Sequence, residues 1–190
     1  MSDHLGKLLN AVEGLFRSIM TKEALLGAGA GKDTLGAAIT TSVNLGSFYA
    51  TPMPPEGTLE SRDLAHCEPD LVRRYLLLKA DFAMQTGRQL FETTTWRSQE
   101  RQASLYAQGR TMPGKKVTNI DGVTSRSRHN FYPSQAIDVC VDSDPGPGKH
   151  AVWDEASYEP LRELCTKHGL IWGGTFKSLK DYPHIEWGAC

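Results

Sequence analysis

Near the start of the chain, apolar residues recur at three- and four-residue spacing: Leu5, Leu8, Leu9, Val12, Leu15, Phe16, Ile19 and Met20. That period gathers them on one stripe of an amphipathic helix, expected to pack against the rest of the protein or a partner. "GAGAGKDT" (27–34) comes next and departs from a phosphate-binding loop. The first glycine of that motif would fall at Leu26, and Asp33 stands where Ser or Thr must hold magnesium. It reads as a flexible connector. The proline-rich "TPMPPEG" (51–57) can continue neither regular element and predicts a boundary near residue 58. Residues 1–58 are therefore expected to form a helical appendage with a linker, and residues 59–190 the second domain.

Beyond that boundary the pattern alternates between periods. "EPDLVRRYLLLKADFAMQTG" (68–87) predicts a helix that stops near Gly87, and "RQLFETTTW" (88–96) a β-branched, aromatic strand. "SQERQASLYAQGR" (98–110) predicts a second helix with Ser98 as its N-cap. A polar, glycine-containing loop runs over "TMPGKKVTNIDGVTSRS" (111–127). "EASYEPLRELCTKHGL" (155–170) predicts a helix ending at Gly169, and "PHIEWG" (183–188) a final short strand. The connections do not repeat as βαβ units, so the expected class is α+β, a small, mostly antiparallel sheet with flanking helices.

Composition changes this picture little. At 39% hydrophobic and 23% charged residues, the 190-residue chain has the make-up of a globular domain. A net charge of −1 gives no electrostatic case for a nucleic-acid groove. Cys67, Cys140, Cys165 and Cys190 are widely spaced without a CxxC pair, which points to reduced packing or surface residues. No apolar stretch reaches the length of a membrane span. The N-terminus lacks the features of a secretory signal, so synthesis is expected in a host cytoplasm, and any target outside it must be reached by another route.

One strand poses a chemical question. In "QAIDVCVD" (135–142), Ala136, Asp138 and Cys140 share one face, and Ile137, Val139 and Val141 the other. A carboxylate there is costly unless something positive compensates it. His129 lies nine residues before Asp138, and Asp181 precedes His184 in "DYPHIEW". Two imidazoles and a carboxylate suit zinc and leave a fourth position for water, while Asp181 is the free carboxylate able to take a proton. A satisfied surface pair is the plainer alternative from spacing alone.

The neighbouring motifs tip the balance. "TTWRSQERQASLYAQGRTMPGKKVTN" (94–119), "SRH" (127–129), "PSQAIDV" (133–139) and "GLIWGGTFKSLKDYPHIEW" (169–187) occur in that order. Together they resemble the zinc D-alanyl-D-alanine carboxypeptidase and L-alanyl-D-glutamate endopeptidase family, in particular its phage endolysin branch. The resemblance covers residues 60–187 and implies a Hedgehog/D,D-peptidase-like fold. It implies one zinc per chain held by His129, Asp138 and His184, with Asp181 as general base. Arg97 matches the arginine aimed at the carbonyl oxygen under attack, and Ser127 the serine that helps bind substrate. Trp172, with Tyr182 and Trp187, is expected either to line a peptide groove or to sit in the core. The sequence departs from the commoner pattern in its nine-residue step from His129 to Asp138, where many relatives have seven.

The activity implied is hydrolysis of the L-alanyl-D-glutamate bond in peptidoglycan stem peptides by a monomer. A D-alanyl-D-alanine carboxypeptidase and a catalytically idle wall-binding or virion module are the alternatives. The enzyme is expected to reach the wall by a holin-like route or as part of a virion.

Overall fold

The structure is a computed structural model, and it describes residues 52–143 and 150–188. The expected helix over residues 5–20 and the connector at 27–34 lie outside the described residues. By its contacts the chain divides at residues 47 and 48, and everything described belongs to the second unit.

Helix α1 (Pro69–Thr86) begins with Pro69, whose missing N–H costs nothing in the first turn, and ends at Gly87 with φ of 69°. Leu71, Tyr75, Leu78 and Phe82 recur along its buried stripe. Each such side chain contributes about 1.5–3 kcal/mol on leaving water. Strand β1 (Gln89–Thr94) follows, then α2 (Gln99–Ala107), capped by the Ser98 hydroxyl accepting from the Arg101 N–H. The long loop leads to β2 (Ala136–Asp142), passing a cis peptide bond between Tyr132 and Pro133.

The single helix expected over residues 155–170 is two: α3 (Glu155–Tyr158) and α4 (Pro160–Lys167). Pro160 has no N–H to give an earlier turn, so it opens a new helix instead of continuing the old one. Three short strands complete the sheet: β3 (Ala151–Val152), β4 (Leu170–Trp172) and β5 (His184–Trp187).

Among the described residues, all the strand pairings within this sheet are antiparallel. The order is β1-β2-β5-β4, with β3 joined to the far end of β2. The mixed α/β class, a small antiparallel sheet with flanking helices, is therefore the one expected. Strand β2 is central, and its alternation divides the molecule. Ile137, Val139 and Val141 lie on the face that α1 and α4 cover, together with their partners Ile185, Glu92 and Leu90. Asp138 lies on the other face, opposite His184.

The register between β1 and β2 slips between Glu92 and Thr94. Without that bulge Thr94 would stay on the helix face with Glu92. With it, Thr94 pairs with Asp138, and the chain continues toward the opposite face as Thr95, Trp96 and Arg97.

Candidate metal centre

Three segments meet on the open face of the sheet. Strand β2 brings Asp138 and β5 places His184 directly across from it. His129 comes from a 3-10 turn (Arg128–Asn130) that Ser127 and Asn130 cap reciprocally. The Ser127 hydroxyl accepts from the His129 N–H, and the Asn130 side chain accepts from the Ser127 N–H at 2.9 Å. Asn130 also donates to the carbonyls of Arg97 and Ser98, and the Arg97 N–H donates to the His129 carbonyl. These bonds clamp the turn to the chain leaving β1.

His129 Nε2 lies 3.0 Å from Asp138 Oδ1 and 3.2 Å from His184 Nδ1, and His184 Nδ1 lies 3.0 Å from the same Asp138 oxygen. The outward ring nitrogens decide what these atoms are. His129 Nδ1 faces the Thr95 carbonyl at 2.6 Å, and His184 Nε2 faces Glu186 Oε2 at 3.1 Å. A carbonyl and a carboxylate only accept, so those nitrogens carry the protons. Each neutral imidazole then turns a lone pair inward, onto a carboxylate oxygen.

Two lone pairs and an anion packed together repel unless a cation sits among them. Donors about 2.0–2.1 Å from a tetrahedral ion lie about 3.4 Å apart, close to the spacing seen here. The set fits a zinc-like ion. A proton is the competitor for that place: burial opposes the charge on Asp138, yet His129 and His184, when protonated, hold its carboxyl well below the usual range. Burial disfavours a charged His184, but hydrogen bonds to Asp138 and Glu186 lift its pKa to about 10, so an ion that takes the Nδ1 lone pair must displace a proton from it. The cluster calls for positive charge at its centre.

Asp181 reaches the same place through a turn. Its N–H donates to the Gly173 carbonyl, and its own carbonyl accepts from His184. Gly173 permits this approach, since a Cβ there would sit 2.4 Å from the Asp181 carbonyl oxygen and 2.9 Å from the His184 Cβ. The Asp181 carboxylate accepts no hydrogen bond among the described residues. Burial, then the negative charge of Asp138, pushes its pKa up, as suits a group that takes a proton.

Arg97 is held on two sides. One Nη donates to Asp138 Oδ2 at 3.0 Å and the other to Gln102 Oε1 at 3.1 Å, while the buried Nε has no partner among the described residues. Gln102, buried on α2, also donates to the Ile120 carbonyl and the Thr118 hydroxyl. One side chain thus orients the arginine and ties down the loop that overhangs it.

The cavity above the centre measures about 550 Å³, and Arg97, Ser127, His129, Phe176, Asp181 and His184 are among its walls. The structure brings together every site residue expected from the sequence except Trp172. That ring is buried, donates from Nε1 to the Tyr182 carbonyl, and has Arg162 of α4 over it. Trp172 pairs with Ile185, whose face is the one the helices cover, so it packs the core behind the centre. Sequence reasoning missed Thr95 and Gln102. A backbone carbonyl leaves no trace in residue type, but a glutamine on the inward side of α2 is a visible signal.

Comparison with known proteins bears on the same segments. Residues 121–187 match a peptidase M15 family described as D-alanyl-D-alanine carboxypeptidase. The peptidoglycan L-alanyl-D-glutamate endopeptidase CwlK of Bacillus subtilis (strain 168) is 33% identical over 113 residues. That match takes in 55% of this chain and 64% of the relative, so the chain spans a little less than two thirds of its length. The crystal structure of Serratia marcescens L-Ala D-Glu endopeptidase ChiX aligns with 65% of this chain and 82% of its own, at 25% identity and a TM-score of 0.46. The family that the ordered motifs resemble is the one that the family match and CwlK support.

Proposed function

We propose, from the kinship of residues 121–187 with the D-alanyl-D-alanine carboxypeptidase family, that this chain is a zinc-dependent peptidoglycan endopeptidase. Its substrate would be the L-alanyl-D-glutamate bond of wall stem peptides. One observation carries the reading: two imidazoles, each with its far nitrogen tied to an acceptor, point lone pairs at one carboxylate oxygen beside an unbonded Asp181.

His129 Nε2, Asp138 Oδ1 and His184 Nδ1 would hold the ion. When bound, it supplies Lewis acidity that polarises a carbonyl and acidifies water. Asp181 takes the proton of the attacking water as oxygen bonds to the carbonyl carbon. It then delivers that proton to the departing amine as the C–N bond breaks. Arg97 offers its remaining N–H groups to the carbonyl oxygen as negative charge develops there. Ser127 lies in the cavity wall, and its hydroxyl, which already accepts from His129, has its proton free for a substrate carbonyl.

The similarity to an L-alanyl-D-glutamate endopeptidase supports this bond as the target. The family description itself supports a second reading, removal of a terminal D-alanine. An endolysin's setting, with access to the wall through a holin-like route or from a virion, is what the resemblance of the ordered motifs to the endolysin branch implies. Purified wall stems, digested with the zinc-loaded chain and weighed by mass spectrometry, test the proposal. Fragments with a new glutamyl N-terminus are expected. Release of free D-alanine alone would select the second reading, and no product would leave a non-catalytic wall-binding module.

A further inference from the structure

Three arginines wall the cavity over the metal centre: Arg97, Arg126 and Arg128. Two are engaged. Arg97 is paired with Asp138, and Arg128 donates to Gln135 while its charge helps hold the Glu186 carboxyl down. Arg126 forms no ion pair among the described residues.

It is nonetheless held in place. Its guanidinium lies 4.4 Å from the centre of the Phe131 ring, and one Nη donates to the Asn130 carbonyl at 2.6 Å. Both anchors belong to the capped turn that carries His129. They orient the cation without neutralising it, so little side-chain freedom remains to be lost when an anion binds.

A second cavity, of about 820 Å³, also has this arginine among its lining residues. Residues 53–59 form one of its walls and Trp96 and Tyr132 another, and it shares Arg97 and Arg126 with the first cavity. Glu56 and Glu100 also line it, so an anion is disfavoured deep inside. The favourable place is the shared wall. An extended molecule running from the metal centre into the second cavity passes Arg126.

We propose that Arg126 is a specificity-determining residue that binds a free substrate carboxylate next to the scissile bond. The assignment rests on the endopeptidase reading, because the glutamyl residue beside that bond keeps one carboxylate that links nothing. A guanidinium already oriented, with N–H groups unspent, matches a carboxylate in shape and charge.

The test uses the full zinc-loaded chain and two tripeptides, L-alanyl-γ-D-glutamyl-L-lysine and its α-carboxamide analogue. The parent is expected to favour the carboxylate in kcat/KM by about tenfold or more. Arg126→Gln should bring that ratio close to one, mainly through KM, and Arg126→Lys should keep part of it. Zinc content, measured alongside, shows that each variant retains its site. A ratio unchanged in Arg126→Gln, or a parent that does not discriminate, overturns the assignment. A parent that cuts neither peptide overturns the endopeptidase reading itself, and the role of Arg126 falls with it.

Discussion

Glu92 and Asp138 stand on neighbouring strands, β1 and β2, and face opposite sides of the sheet. On the helix side, Glu92 accepts from the Tyr75 hydroxyl at 2.7 Å and from Lys79 Nζ at 2.9 Å. Burial alone would raise the Glu92 carboxyl, but Lys79 and Tyr75 outweigh it and hold the pKa below the ordinary 4.5. Burial, then the Glu92 charge, pushes the Tyr75 hydroxyl well up, so it remains a donor. That face carries its own counter-charge. On the other side, Arg97 satisfies one oxygen of Asp138, and the second meets two imidazoles whose protons point away. Glu92 is matched by its own cation and donor, whereas Asp138 has one oxygen matched by Arg97 and the other left to two imidazoles, where a cation from outside can be taken.

The sharpest way to break this contrast is to remove an imidazole. His129→Ala or His184→Ala should abolish stoichiometric zinc and nearly all hydrolysis, since each deletes one of the three protein donors. Elemental analysis giving one zinc per chain in both variants would overturn the donor assignment.

Asp181→Ala tests the proton acceptor separately. Zinc content should match the parent while kcat falls by about 10²-fold or more. Parent-like turnover with full zinc would place proton removal elsewhere.

Glu186→Gln touches only the support of His184. A neutral amide can still accept from Nε2, but it polarises the ring less, and zinc affinity should fall by about tenfold. Competition with a chromophoric chelator reads this directly, and an unchanged affinity would make Glu186 a bystander.

The smallest effect is expected on the helix face. Glu92→Gln should cost about 2 kcal/mol of stability, the scale of a hydrogen bond to a charged group, and leave zinc binding alone. Because the folded pKa of Glu92 is depressed, its contribution is present above about pH 4.5 and lost as pH falls through the folded value. Denaturant titrations of parent and variant should therefore converge in acid. A zinc defect in Glu92→Gln would show that the two faces are not independent.

Much of this arrangement was legible in the sequence, for reasons that also mark where legibility ended. Helix α1 declares itself through the recurrence of Leu71, Tyr75, Leu78 and Phe82 together with its Pro69 start and Gly87 stop. Asp138 stood out because a carboxylate in an apolar alternation demands an explanation. Trp172 is different: β4 has three residues, too few to show an alternation, and its facing follows from pairing with Ile185, a long-range register. The bulge in β1 is equally silent, since a run of three threonines after Glu92 looks the same with or without a slipped residue. In the sequence Gln102 shows only as one residue of a helix. Its work depends on what α2 packs against, which local pattern does not contain. The boundary proposed near residue 58 rests on composition, and residues 53–59 line a cavity beside Trp96 and Arg97. A segment beginning at residue 59 is therefore proposed to fold yet to lack one wall of that cavity.

The three proposed metal donors also lie far apart along the chain. His129 and Asp138 are separated by 9 residues, Asp138 and His184 by 46, and His129 and His184 by 55. In a disordered chain, closing such loops for a single ion is entropically unfavourable. The donors converge only after β5 has zipped onto β2 and the turn at residues 128–130 has docked. An ion that arrives then stabilises the finished molecule and not the barrier before it, so it slows unfolding while leaving the folding rate nearly alone. The centre proposed to perform the chemistry would then also act as a late-closing latch, and endurance would be a matter of kinetics.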